Sequence, residues 1–122
     1  MDLSISARRL NSDETCGVVT LAGEIDIATF RQLRSALDDA HRCGLCRIVL
    51  DLSDVAYCDS TGIGVLATYA KRLLDDGGSL QLAGVRPAVA EIFVIAGLTA
   101  VVPAFPTVEL ALANRPGAAT AR

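Results

Sequence analysis

The sequence predicts a single α/β domain in which helices pack on a mixed β-sheet, and three observations carry that reading. Two short β-rich segments near the start are separated by turn-forming residues, which makes them a hairpin. Strand-like and helix-like segments then alternate to the end of the chain, the order that builds a sheet through helical crossovers. Finally, 122 residues of which 52% are hydrophobic can bury roughly two thirds of the surface of the unfolded chain, enough for one core without a disulfide or a structural metal.

Taken in order, residues 4–10 and 16–23 are the hairpin strands, with Asn11-Ser12-Asp13-Glu14 as the turn. Residues 28–42 are an amphipathic helix, because Phe30, Leu33, Ala36, Leu37 and Ala40 recur at spacings of three and four among charged residues. Residues 46–52 are apolar at adjacent positions, as a central strand covered on both faces requires. A second helix spans residues 61–75, with Ile63, Leu66, Ala67, Ala70, Leu73 and Leu74 as its apolar stripe, and Gly77-Gly78 ends it. Residues 80–83 form a further strand, and Pro87 opens a helix that Gly97 stops. A strand at residues 100–102 and a helix at residues 107–113 complete the domain, which is assigned to residues 1–114. Residues 115–122 have too little apolar surface to bury and are expected to form a disordered tail.

Composition excludes several kinds of function. Eleven Lys and Arg against 14 Asp and Glu give a formal net charge of −3, so the chain lacks the positive field that nucleic acid binding needs. Asp2 and the absence of an apolar run before Arg8-Arg9 speak against a secretory leader, so a cytoplasmic location is expected. The longest weakly polar stretch, residues 92–105, is broken by Gly97 and Pro103 and is shorter than the ~20 residues that span a bilayer, so no membrane insertion is expected.

The four cysteines are expected to be free thiols in that compartment. Cys43 and Cys46 form a C-x-x-C that closes a helix and enters a strand, the reverse of a redox dithiol, and only His41 stands near as a further zinc ligand. His41 is also the one histidine, and no Ser-His-Asp, Cys-His or phosphate-cradling glycine motif can be assembled around it. The expectation is a protein that is not an enzyme and takes no cofactor and no metal.

The informative stretch runs from Asp51 to Gly64, between the central strand and the second helix. Asp59, Ser60 and Thr61 cluster at the helix start, and capping of unpaired helix N–H groups accounts for them locally. Capping does not account for Gly62 and Gly64, each of which costs ~1 kcal/mol relative to alanine inside a helix. Either the helix packs closely on the sheet there, or another molecule approaches bare backbone. If Ile63, Leu66, Ala70 and Leu73 face inward, then Gly62, Val65, Tyr69 and Arg72 form a flanking stripe continuous with Ser60, a candidate docking face. Gly23-Glu24-Ile25-Asp26 ends the second strand, where Asp26 is again a natural cap. Asp26 and Asp59 would meet at one rim of the sheet, and convergence with Asp51 or Asp54 is what a weak Mg²⁺ site would require.

In order and spacing, Gly23-Glu24-Ile25-Asp26, Ile48-Val49-Leu50-Asp51-Leu52-Ser53 and Asp59-Ser60-Thr61-Gly62-Ile63-Gly64 resemble three landmarks of the STAS domain, specifically of bacterial anti-sigma factor antagonists. The resemblance covers residues 4–114 and implies a four- or five-stranded mixed sheet with helices packed against it. It implies a partner switch: the unphosphorylated domain binds an anti-sigma factor that is a serine kinase and frees the sigma factor, and phosphorylation ends the binding until a phosphoserine phosphatase resets it.

The family's phosphorylated residue is the hydroxyl amino acid after the motif's aspartate, here Ser60. Asp26 and Asp59 match the flanking acids, and Asp26, Asp59, Thr61, Gly62, Val65 and Tyr69 are the expected partner-binding residues. Tyr57-Cys58 departs from the larger apolar residues the family often has before that aspartate, which bears on packing. A monomer is the default for a small domain whose docking face must stay free. The competing reading is a STAS-like adaptor subunit of a larger complex, such as a lipid-transport ATPase, that docks its partner constitutively; Ser60 after Asp59 favours the switch.

Overall fold

A computed structural model describes residues 2–114. Its five strands are β1 (Leu3–Arg9), β2 (Cys16–Ile25), β3 (Arg47–Cys58), β4 (Ser79–Ala83) and β5 (Ala104–Phe105), and its helices are α1 (Phe30–Arg42), α2 (Ser60–Asp75), α3 (Pro87–Ile95) and α4 (Val108–Ala113). The sheet order is β1-β2-β3-β4-β5, with β1 antiparallel to β2 and every later pair parallel. This is the mixed, single-domain sheet the element order predicts.

Alternation along the strands sorts side chains onto two faces. Val19, Leu21, Ile48, Leu50 and Leu82 meet Leu33 and Leu37 of α1, Leu66 and Leu73 of α2, and Val89 and Phe93 of α3 in the main core. On the opposite face Val18, Val49 and Ala83 pack with Ala111 of α4. That short helix is held by more than apolar contact. The buried Arg47 guanidinium donates to the carbonyls of Ala111 and Leu112 at 3.1 and 3.0 Å, and the buried Gln81 amide donates to those of Ala111 and Asn114 at 2.9 and 2.8 Å. A cation thus satisfies carbonyls that the last turn of a helix leaves without partners.

Several boundaries differ from the sequence reading for tertiary reasons. β3 does not stop at residue 52 but continues to Cys58, because β2 extends beside it as far as the Ile25–Cys58 pair. Register shifts between Thr20 and Ala22 and between Gly23 and Glu24 break the strict two-residue alternation, so Val55 and Cys58, three apart, both face the core. The apolar run at residues 100–102 is not a strand. Leu98–Ala100 forms a 3₁₀ turn in which the Val101 and Val102 N–H groups donate to the Leu98 carbonyl, which satisfies the backbone locally, and the fifth strand follows Pro103. α1 starts at Phe30 because Asp26 and Thr29 first close a turn. The expected tail at 115–122 lies outside the described residues.

α2 is turned about its axis relative to the expectation. Gly62, Val65 and Tyr69 are buried together with Leu66, Ala70 and Leu73, whereas Leu74 is exposed and Ile63 and Ala67 are half-buried. The apolar residues of this helix span an arc wider than one face, so periodicity alone does not settle which part meets the sheet. Gly62 settles it: a Cβ there would stand 2.4 Å from Ile25 Cγ2 and 2.8 Å from Cys58 Sγ, so the bare backbone lets α2 seat on the ends of β2 and β3. A Cβ on Gly64 would meet nothing within 4 Å.

Candidate functional site

The parallel strands β2 and β3 end side by side, and each hands the chain to a helix through a loop built on an aspartate. In the first loop one Asp26 carboxylate oxygen accepts from the N–H groups of Ala28 and Thr29 at 2.9 and 3.1 Å, while the Asp26 N–H donates to Thr29 Oγ1 at 2.9 Å. Thr29, itself buried, donates its hydroxyl to the Glu24 carbonyl at 2.8 Å. In the second loop Asp59 is the N-cap of α2: its carboxylate accepts from the Gly62 N–H at 3.1 Å. The Asp59 N–H donates to the Ile25 carbonyl at 3.0 Å, which ties the two loops together.

Ser60, the first residue of α2, is exposed beside this junction. The exposed residues of the helix then recur at Gly64, Thr68 and Lys71, flanked by half-buried Ile63 and Ala67. The accessible face is therefore Ser60, Ile63, Gly64, Ala67 and Thr68, not the expected stripe. Gly62, Val65 and Tyr69 face the core and are not available to a partner of the folded domain, whereas Thr61 is half-buried at the helix start. Tyr69 is 1% exposed, and its hydroxyl accepts from Arg72 Nη1 at 3.0 Å. The signal that would have found this face is the pair of glycines two apart, which must point to different sides of a helix.

Two apolar side chains stand out around the junction, one on the first loop and one near the end of β3. Ile27, next to Asp26, is 73% exposed, and Tyr57, two residues before Asp59, is 45% exposed. Beneath the junction Cys58 is buried, and its thiol is pushed up to about 12, first by burial and then by the charge of Asp59. It stays protonated at neutral pH and fills space rather than reacting.

The other acids of the rim are engaged elsewhere. Asp51 accepts from the backbone and hydroxyl of Ser53, and Asp54 stands 3.9 Å from Arg86. Among the described residues no group of three or more His, Cys, Asp or Glu is placed to hold a metal ion. None of the four cysteines is in a disulfide. Among the described residues no helix is long and apolar enough to cross a membrane.

A sheet with one antiparallel edge, three helices on one face, and an exposed serine directly after the aspartate that caps the second helix define a recognised class. The chain belongs to the STAS domain family, whose family model matches residues 7–111. Among its relatives is an anti-sigma F factor antagonist of Paenibacillus polymyxa, 32% identical over 89 residues that cover 72% of this chain and 76% of the relative. An anti-sigma factor antagonist of Mycobacterium paratuberculosis superposes with a TM-score of 0.81 at 26% identity, covering 92% of both chains. The anti-sigma factor antagonist SpoIIAA of Bacillus shares the fold in its unphosphorylated form, with a TM-score of 0.75, 22% identity and coverage of 89% of this chain and 93% of that one. Its phosphorylated form gives 0.68 at 21% identity, covering 89% and 96%.

Proposed function

We propose that this protein is an anti-sigma factor antagonist that acts by partner switching in the cytoplasm. In its unphosphorylated form it docks the Ser60 end of α2 on an anti-sigma factor with serine kinase activity and so frees the sigma factor. The kinase transfers the γ-phosphoryl group of a nucleoside triphosphate to Ser60 Oγ, the hydroxyl proton leaves, and binding ends. A phosphoserine phosphatase restores the binding form.

The observation that carries this reading is the exposed Ser60 hydroxyl at the first position of a helix whose outer face is small and uncharged through Gly64, Ala67 and Thr68. The similarity to anti-sigma factor antagonists, one of them solved in both forms, supports it. A phosphate there adds a charge of about −1.5 to −2 with a tightly held hydration shell, on a surface the partner must desolvate. The fold tolerates it, because helix N–H groups and the helix dipole favour an anion at this end. Asp59 and Asp26 add negative charge around it, so a partner patch that accepted the hydroxyl is repelled.

The test is an affinity capture from the source cell's lysate with wild type, Ser60→Ala and Ser60→Glu, together with intact-mass analysis of each bait. Expected is capture of an anti-sigma factor kinase by wild type and Ser60→Ala, loss with Ser60→Glu, and a phosphate gained by wild type alone. Capture of one common scaffold or transporter by all three, with no phosphate on any, overturns the switch and favours the constitutive adaptor.

A further inference from the structure

We propose that this domain self-associates through the outer edge of β1, joining two copies into one continuous ten-stranded sheet. Among the described residues β1 (Leu3–Arg9) is an edge strand paired only with β2, whereas the other edge, β5, is two residues long. The Leu10 N–H donates to the Cys16 carbonyl at 2.9 Å, so alternate residues Arg8, Ser6 and Ser4 turn their backbone groups towards β2. Leu3, Ile5, Ala7 and Arg9 therefore direct their N–H and C=O groups outward, a row that makes no ladder bonds among the described residues.

Edge strands that avoid pairing carry a proline, a bulge or an inward-pointing charge. β1 has no proline, and its register against β2 is unbroken from Leu3 to Arg9. Arg9, the charge on the α1 side of the strand, is drawn off the edge, donating to the carbonyls of Glu14 and Cys43 at 2.6 and 2.7 Å.

The occupant is argued from charge and shape. Asp2 directly precedes the strand and Arg8 lies near its other end, so antiparallel pairing with an identical strand sets opposite charges face to face. In the register that places Ile5 opposite the partner's Ile5 on the two-fold axis, Asp2 lies opposite the partner's Arg8 and Leu3 opposite the partner's Ala7. Leu3, Ile5 and Ala7 are all outward-bonding positions, so this register makes ladder bonds in both directions. On the α1 side a groove of about 390 Å³ runs beside the strand, its apolar lining Ile5, Ala7, Ala36, Ala40 and Leu45 bordered by Arg8, Arg9, Asp39 and Cys43. The partner's Ile5 would lie against it. The pairing uses the outer edge of β1, on the side away from β2 and β3 whose ends seat α2, so a dimer leaves Ser60 accessible and a free docking face gives no reason to expect a monomer. The proposal does not depend on the partner-switch reading.

The test is sedimentation velocity of the full chain up to about 1 mM. Wild type is expected to show a concentration-dependent dimer. Ala7→Pro removes an outward N–H without touching the β2 ladder, a change an edge strand tolerates, and is expected to be monomeric throughout with an unchanged circular dichroism spectrum. Asp2→Arg turns two symmetric attractions into repulsions and should weaken the dimer about tenfold, and adding Arg8→Asp should restore it. A wild type that stays monomeric at about 1 mM overturns the proposal. So does a dimer indifferent to Ala7→Pro, or one that the double charge swap fails to restore.

Discussion

Alanine at Gly62 and alanine at Gly64, two residues apart on one helix, should move stability in opposite directions. In both cases replacing glycine reduces the backbone entropy of the unfolded chain and is worth up to about 1 kcal/mol in a helix interior. At Gly64 nothing opposes this gain, since the new methyl meets no atom within 4 Å, so Gly64→Ala should stabilise by about 0.5–1 kcal/mol. At Gly62 the methyl would stand 2.4 Å from Ile25 Cγ2, 2.8 Å from Cys58 Sγ and 3.3 Å from Ile25 Cβ. Ile25 and Cys58 are both fully buried, and Ile25 is β-branched and stiff, so neither can swing away.

Relief must come from lifting the start of α2, which also strains the bond from the Gly62 N–H to Asp59. Overpacking of this kind costs about 1–3 kcal/mol and the helix gain offsets at most about 1 kcal/mol of it, so a net loss of up to about 2 kcal/mol is expected. Urea denaturation of the two variants beside wild type measures both. A stabilised Gly62→Ala would mean that α2 does not seat as described, and a destabilised Gly64→Ala would mean that its face is not open.

Other substitutions test the junction and the far side of the sheet. Asp59→Ala should cost about 1 kcal/mol through loss of the cap, while Asp59→Asn keeps a capping oxygen and should be near neutral; denaturation of both, with partner binding of Asp59→Asn, separates the cap from the charge. Arg47→Met removes the cation that satisfies the last carbonyls of α4 and should cost about 2–3 kcal/mol, read as a selective rise in hydrogen exchange at residues 108–113. Maleimide labelling of the native protein at pH 8 should modify Cys43 first and spare Cys58. The Cys58 thiol titrates at 9.0 when unfolded and at about 12 when folded, so between these values the unfolded chain has lost a proton the native state keeps. The stability it contributes is intact below pH 9.0 and declines as pH rises towards 12, so the gap in stability between wild type and Cys58→Ala should shift over that window.

Capping occupies the aspartates of both loops. Asp59 accepts from the Gly62 N–H and Asp26 from the N–H groups of its own turn, each through one carboxylate oxygen, so both hold the loops they begin. That use explains why local sequence supports the capping reading so readily: the caps are real, and Ser60 directly follows the second of them.

Strand and helix identity, the hairpin, the central position of the Ile48-Val49-Leu50 strand and the placement of Ser60 after a capping aspartate follow from the sequence, because each rests on periodicity, turn chemistry or capping within a few residues. Tertiary structure decided what depends on contacts between distant segments. β3 runs to Cys58 because β2 lies beside it with two register shifts. The apolar residues 100–102 fold into a local turn because Val102 is buried against Leu98 and needs no ladder. α2 shows Gly64 rather than Val65 and Tyr69 to solvent because Gly62 alone fits against Ile25 and Cys58. A helix with apolar residues over more than one face offers several rotations of similar hydrophobic burial, and only the shape of the sheet it lands on selects one.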